Sequence, residues 1–251
     1  MNRNQQYILY FLVFFISYMF FYWIEYDEDS IQSSKTRTLE KDGFYVLFDK
    51  EYLKTVSEPC SRLKDDILNK LPPDYIFLDY VYKINNTALS TFHRDVTSSQ
   101  TINNTHYPTY TCILYKYSGE LLSVCPNSDK TYPFVNSNIV NISGQAGTAF
   151  LFDCNLLHSG MQNMCRYREV VQYKICHKDD LIGLKHLQGV RVEKSDHCEI
   201  TYYNYIMRKL SYYFELPINI IFYPLMIKRE NNDSIIGKIQ SYIPLSYYNN
   251  I

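Results

Sequence analysis

The chain has 251 residues, a net charge of −1 at pH 7, six histidines and seven cysteines. That length fits one catalytic-size domain with extensions rather than several domains, and the balanced charge leaves no basic footprint for nucleic acid, so no nucleic-acid partner is expected. There is no nucleotide-binding fingerprint and no internal repeat, and the 26 tyrosines are read as compositional bias before function.

The first element is Tyr7 to Ile24, an uncharged run of eighteen residues rich in Phe, Tyr, Leu and Ile. As one helix it would reach about 27 Å, close to the hydrocarbon thickness of a bilayer. It lacks the small-residue cleavage pattern of a signal peptide, and Tyr7, Tyr22 and Trp23 suit membrane interfaces. The expectation is a retained transmembrane helix within residues 1–25, making a single-pass membrane protein. Arg3 before the run points to a cytoplasmic amino terminus and a lumenal or exterior domain. Sequons at Asn85, Asn103, Asn141 and Asn232 fit that side, where disulfides could also form.

Residues 26–38 are polar and are read as a linker, followed by a catalytic unit over 39–196 and a C-terminal extension over 197–251. Gly43 to Phe48 is a predicted strand. Asp49 to Leu71 carries Leu53, Val56, Cys60, Leu63, Ile67 and Leu71 at helical spacing, with a break and restart at Pro59. Further strands are predicted over Tyr75–Lys83, Thr109–Tyr117, Asn138–Ile142, Thr148–Phe152 and Arg168–Ile175. The polar stretch from Thr97 to Pro108 is a candidate lid. In the extension, Tyr202 to Phe214 reads as a helix with Arg208 and Lys209 exposed. Ile218 to Ile227 is apolar, broken by Pro224 and too short to span a bilayer; it is expected to pack on the core or on the membrane surface.

Chemistry concentrates on four residues. His93 and Asp95 are two apart, so on an extended segment both side chains point the same way and can hold one metal ion. His177 with Asp179 and His197 with Glu199 show similar spacing, but only His93 is followed by a second histidine, His158, and then by a cation, Arg168, ten residues further on. Two imidazoles and a carboxylate leave three positions free on an octahedral metal, the ligand set of non-haem Fe(II) oxygenases. A 2-oxo acid such as 2-oxoglutarate needs a planar bidentate partner for its far carboxylate, which Arg supplies better than Lys. Arg168, Val170, Gln172 and Lys174 share one face of the predicted last strand. Arg166 lies on that same face and is the competing clamp. Cys154 and Cys165 flank His158, and Cys154 is read as a small buried hydrophobe.

Three segments together resemble the phytanoyl-CoA dioxygenase branch of the Fe(II)/2-oxoglutarate-dependent dioxygenases. They are the opening Leu39-Glu40-Lys41-Asp42-Gly43-Phe44-Tyr45-Val46, the His93-Arg94-Asp95 triplet, and the stretch from Gly147, eleven residues ahead of His158, to Arg168. The resemblance covers about Leu39 to Asp180 and rests on motifs rather than on the residues between them. It implies a mainly β fold with flanking helices whose core is a double-stranded β-helix, that is, a cupin-like jelly roll. It further implies His93, Asp95 and His158 as iron ligands, Arg168 as the 2-oxoglutarate clamp, and Fe(II), 2-oxoglutarate and dioxygen as cofactor and cosubstrates. Gly160 stands where some members place a hydroxyl, so a second cosubstrate hydrogen bond has to come from elsewhere, with Tyr110 and Tyr115 as candidates.

The expected activity is hydroxylation of a small-molecule, lipid or protein substrate that the sequence does not name, with release of succinate and CO2. Two alternatives stay open: a zinc-dependent or divergent metal enzyme on the same scaffold, and a catalytically silent jelly-roll binding module.

Overall fold

The structure is a computed structural model and describes residues 2–21, 23–85, 91–131, 137–161, 168–194 and 202–215. Its helices are α1 (Arg3–Phe21), α2 (Ser30–Thr36), α3 (Leu39–Asp42), α4 (Ser61–Leu68), α5 (Gln100–Asn103) and α6 (Tyr202–Tyr213). The strands are β1 (Glu25–Asp29), β2 (Phe44–Phe48), β3 (Tyr75–Asn85), β4 (Tyr110–Tyr115), β5 (Gly119–Val124), β6 (Ile139–Gly144), β7 (Thr148–Asp153), β8 (His158–Gly160), β9 (Glu169–His177) and β10 (Gly189–Lys194).

A six-stranded sheet runs in the order β10, β3, β9, β4, β7, β2, and a four-stranded sheet in the order β1, β6, β5, β8. All pairings are antiparallel except β1 with β6 and β10 with β3. Facing sheets of this kind give a mainly β, jelly-roll-like architecture with flanking helices, as expected.

Side-chain alternation along the strands builds two apolar layers. Ile113 and Tyr115 of β4, Phe150 and Phe152 of β7, and Val170 of β9 meet Leu122, Val124, Val140 and Ile142 of the smaller sheet. On the opposite face of the larger sheet, Cys112, Leu114, Leu151, Val171, Tyr173 and Ile175 pack with Leu63 and Ile67 of α4. Burying side chains of that size contributes roughly 1.5–3 kcal/mol each. On β9 the period of two therefore leaves Gln172 and Lys174 on the inter-sheet side with Val170, although both are polar and buried.

The Asp-Gly-Phe opening has a local physical cause. Gly43 ends α3 in the left-handed region at φ +82°, where glycine carries no steric penalty. A Cβ there would lie 2.3 Å from Asp129 Oδ1. Asp42 accepts hydrogen bonds from Arg37 and from the Thr38 amide, which fixes the entry into β2.

Several elements differ from the sequence reading. Asp49 to Leu71 holds a 3-10 turn over Lys50–Lys54 and α4, not two long helical pieces. The stretch read as a linker folds as β1 and α2, with β1 paired along β6. Strands β1, β5 and β10 were not expected, and the strand beginning at His158, β8, pairs with β5 in the smaller sheet rather than lying beside the strand after Arg168. Ile218 to Ile227 lies outside the described residues.

The transmembrane anchor is corrected. No helix among the described residues is long and apolar enough to cross a membrane. Helix α1 opens with Arg3, Asn4, Gln5 and Gln6 and ends at Phe21, so its apolar run is Tyr7 to Phe21, fifteen residues or about 22 Å, short of a hydrocarbon core of about 30 Å. Beyond that end, Trp23 packs edge-on against Phe92, Tyr212 and Tyr213, at ring-centroid distances of 6.2, 5.3 and 6.0 Å. Trp23, expected to mark the membrane interface, thus packs against the domain instead. Membrane attachment through Tyr7–Ile24 and the single-pass orientation built on it lose their basis. The sequon at Asn141 is likewise a buried β6 residue whose amide donates to Glu25 and Asp27.

Candidate metal centre

The two histidines meet through their backbones. His93 and His158 form an isolated antiparallel bridge, His93 N donating to His158 O at 2.9 Å and His158 N to His93 O at 3.0 Å. Their rings lie 4.4 Å apart. Asp95 follows with its amide bonded to Cys154 O at 2.8 Å. One donor atom from each of His93, Asp95 and His158 falls within 4.8 Å of the others. Asp95 Oδ1 lies 3.8 Å from His93 Nε2 and 3.7 Å from His158 Nε2.

Each imidazole is set for ligation by its other nitrogen. Nδ1 of His93 lies 3.0 Å from Thr91 O, and Nδ1 of His158 lies 2.9 Å from Leu156 O. A carbonyl only accepts, so both Nδ1 atoms carry the proton and both Nε2 lone pairs face the site. Burial lowers the pKa of each ring, that of His158 to about 3, so both are neutral near pH 7. Burial works against ionisation of Asp95, but the Lys174 ammonium, with the imidazoles behind it, outweighs this and holds the carboxyl below the usual range. Two neutral imidazoles and an ionised carboxylate are the donors that Fe(II) takes, so the residues fit the expected ion.

The second oxygen of Asp95 is enclosed. Oδ2 accepts from Thr111 Oγ1 at 2.5 Å, Lys174 Nζ at 2.6 Å and Gln172 Nε2 at 3.3 Å. Lys174 Nζ also donates to Thr111 Oγ1 at 2.8 Å. These three residues were not identified as site residues from sequence, although alternation had already placed Gln172 and Lys174 on the Arg168 face.

Arg168 stands immediately before β9 and is 5 % exposed. The phenol of Tyr115 lies against its guanidinium, yet its Nε and Nη1 have no hydrogen-bond partner. A buried guanidinium with open donors is costly to maintain and is a ready seat for an anion. Of the two tyrosine candidates, Tyr115 is on this side. Tyr110 packs on the opposite face against Tyr75, at a ring distance of 5.4 Å. Arg166 and Cys165 lie outside the described residues. Cys154 is buried, as expected, and its thiol contacts Ser98 O.

The other described histidines are not part of this cluster. His177 stacks on Tyr107 at 3.9 Å, and His197 lies outside the described residues. The stretch from Thr97 to Pro108, read as a candidate lid, is pinned by Asp180, which accepts from the His106 and Tyr107 amides, and by the 2.8 Å contact of His186 Nε2 with Thr97 O.

The C-terminal helix supports the ligand segment. Arg208 and Lys209, expected to be exposed, are 6 % and 4 % exposed. Arg208 donates to Ser123, Ser159 and Gly160 O and faces Glu25, because α6 lies on β5 and β8 where these polar groups need a donor. Ser211 accepts from the Phe92 amide at 2.8 Å.

No protein-family model matches the chain, and no curated protein matches its sequence. Solved structures do match. One is EctD from S. alaskensis in its apo form, at 14 % identity and a TM-score of 0.43 over 61 % of this chain and 79 % of that one; the same protein has been solved with bound Fe and with 2-oxoglutarate and 5-hydroxyectoine. A second is SnoN, a non-heme alpha-ketoglutarate-dependent epimerase from nogalamycin biosynthesis, at 11 % identity and a TM-score of 0.42 over 59 % of this chain and 82 % of that one. A third is HygX from Streptomyces hygroscopicus with nickel and 2-oxoglutarate bound, at 11 % identity and a TM-score of 0.40 over 56 % and 84 %.

Proposed function

We propose that the protein is an Fe(II)- and 2-oxoglutarate-dependent oxygenase that hydroxylates its substrate. The observation that carries this reading is the buried Arg168 guanidinium at the head of β9, whose Nε and Nη1 have no hydrogen-bond partner while the Tyr115 phenol lies against it. Further along the same face of that strand, Gln172 and Lys174 hold Asp95 of the metal-ligand cluster. An anion acceptor and, further along the same strand face, the residues that hold one ligand of the metal-donor set supply the two anchors a dicarboxylic 2-oxo acid needs, and a zinc hydrolase has no use for the first.

In this reading His93, Asp95 and His158 hold Fe(II) and leave its remaining positions to the cosubstrates. The chemistry the ion supplies when bound is dioxygen activation coupled to oxidative decarboxylation of 2-oxoglutarate to succinate and CO2. Arg168 binds the distal carboxylate of 2-oxoglutarate through its open N–H groups, and Tyr115 orients the guanidinium from the other side. Phe152, 4.5 Å from the His158 ring, and Val170 keep this part of the interior dry, which strengthens each charge interaction there.

The test is anaerobic addition of Fe(II) and then 2-oxoglutarate to the purified protein. A weak visible charge-transfer band, followed by succinate formation on admitting oxygen, is the expected result. Tightly held zinc that Fe(II) does not displace, with no succinate formed, overturns the reading.

A further inference from the structure

The three donors around Asp95 Oδ2 do more than fill a polar pocket. Lys174 has donors and no acceptor, so its 2.8 Å contact with Thr111 Oγ1 occupies a lone pair of that hydroxyl. The Thr111 hydrogen is thereby directed away from Lys174 and onto Asp95 Oδ2, at 2.5 Å. The same ammonium binds Oδ2 directly at 2.6 Å, and Gln172 adds a third donor. One oxygen of the carboxylate is thus saturated, and only Oδ1 is left facing the two Nε2 atoms. Lys174 is 2 % exposed and Asp95 is 6 % exposed, so water does not replace these partners.

We propose that Lys174 is a positioning residue that restricts Asp95 to ligation through Oδ1 and offsets its charge, so that the metal is held less tightly but keeps its remaining positions open for the 2-oxo acid. This rests on the metal-centre reading above. Two consequences pull in opposite directions. A cation one carboxylate away from a divalent ion repels it, so its removal tightens metal binding. Removal also frees Oδ2 to turn toward the ion and compete with the cosubstrate for a coordination position. A purely structural lysine would weaken both interactions together or neither.

The experiment uses the full chain with Co(II) as an oxygen-stable probe, comparing wild type with K174M, K174Q and K174R. Co(II) affinity is read by chelator competition, coordination by the visible Co(II) spectrum, and 2-oxoglutarate affinity by titration into the Co(II)-loaded protein. K174M is expected to bind Co(II) more tightly and 2-oxoglutarate more weakly, each by about tenfold or more, with a changed Co(II) spectrum. K174Q, which keeps a hydrogen-bond donor but no charge, should shift the same way and serves where K174M does not fold; K174R should restore wild-type behaviour. If the uncharged variants leave both affinities unchanged, or move them in the same direction, the assignment of Lys174 is overturned while the metal centre stands. Wild type that takes up no Co(II) overturns the metal-centre reading itself, and this inference with it.

Discussion

Arg94 and Glu215 form a buried bidentate ion pair, Nε to Oε2 at 3.0 Å and Nη2 to Oε1 at 2.8 Å, with side chains 1 % and 3 % exposed. Arg94 lies between His93 and Asp95 and also donates to Ser128 O and Asn155 O. The residue between two candidate metal ligands is therefore tied to the end of the C-terminal helical segment. Glu215→Ala leaves this guanidinium buried without its counter-charge, a loss of about 3–5 kcal/mol. Urea unfolding of the metal-free protein should show it. A change below about 1 kcal/mol would place the pair in effectively solvated surroundings, against its observed burial.

The clamp assignment separates cosubstrate binding from metal binding. On the proposed reading, Arg168→Ala removes the cationic partner of a desolvated carboxylate, worth about 2–5 kcal/mol. The KM for 2-oxoglutarate should rise by more than about tenfold, while Co(II) affinity stays within about twofold of wild type. Arg166→Ala is the comparison. If it carries the larger effect, the clamp is Arg166; if neither matters, the cosubstrate reading fails.

Acid should weaken the metal-free fold through the buried imidazoles. His158 has its folded pKa lowered to about 3 by burial, and His93 is lowered as well, whereas in the unfolded chain both titrate near the ordinary value of about 6.5. Below that value the unfolded state binds more protons, so stability present above about pH 6.5 is lost as pH falls toward the folded values. Asp153 acts with the opposite sign. Burial raises its pKa to about 6, above the unfolded value, so it favours the fold as pH falls through that range. Denaturant midpoints should therefore drop between pH 7 and pH 5, and drop more steeply in Asp153→Asn. A flat profile in both proteins would contradict neutral, buried histidines.

Gly147 carries a backbone requirement rather than a chemical one. Its φ is +96°, and a Cβ would stand 2.7 Å from the carbonyl oxygen of Asp49, main chain that cannot rotate away. Gly147→Ala should cost about 1–3 kcal/mol and lower the melting temperature. An unchanged melting temperature would mean that the turn between β6 and β7 refits around a side chain.

What was legible in the sequence was local. The two-residue spacing of His93 and Asp95 and the alternation around Arg168 can be read over a few residues, whereas His158 joins them only through the long-range His93–His158 bridge, which brings the three ligand candidates together. The Asp-Gly-Phe opening likewise follows from one left-handed glycine. Other features were settled only by long-range contacts. Strand β1 reads Glu-Tyr-Asp-Glu-Asp, which no propensity favours as a strand; it forms because Asn141 and Arg208 supply partners for its acids along β6 and α6. Arg208 and Lys209 look like the polar face of a surface helix until α6 meets β5 and β8. The Tyr7–Ile24 run reads as a membrane span until its far end leaves the helix and Trp23 finds Phe92 and Tyr212. Lys174 approaches Asp95 from 79 positions along the chain, and the pair exists only because β9 enters the larger sheet between β3 and β4. Hydrophobic period and backbone chirality act over a few residues and can be read directly, whereas the partner of a buried charge is chosen by which strands become neighbours.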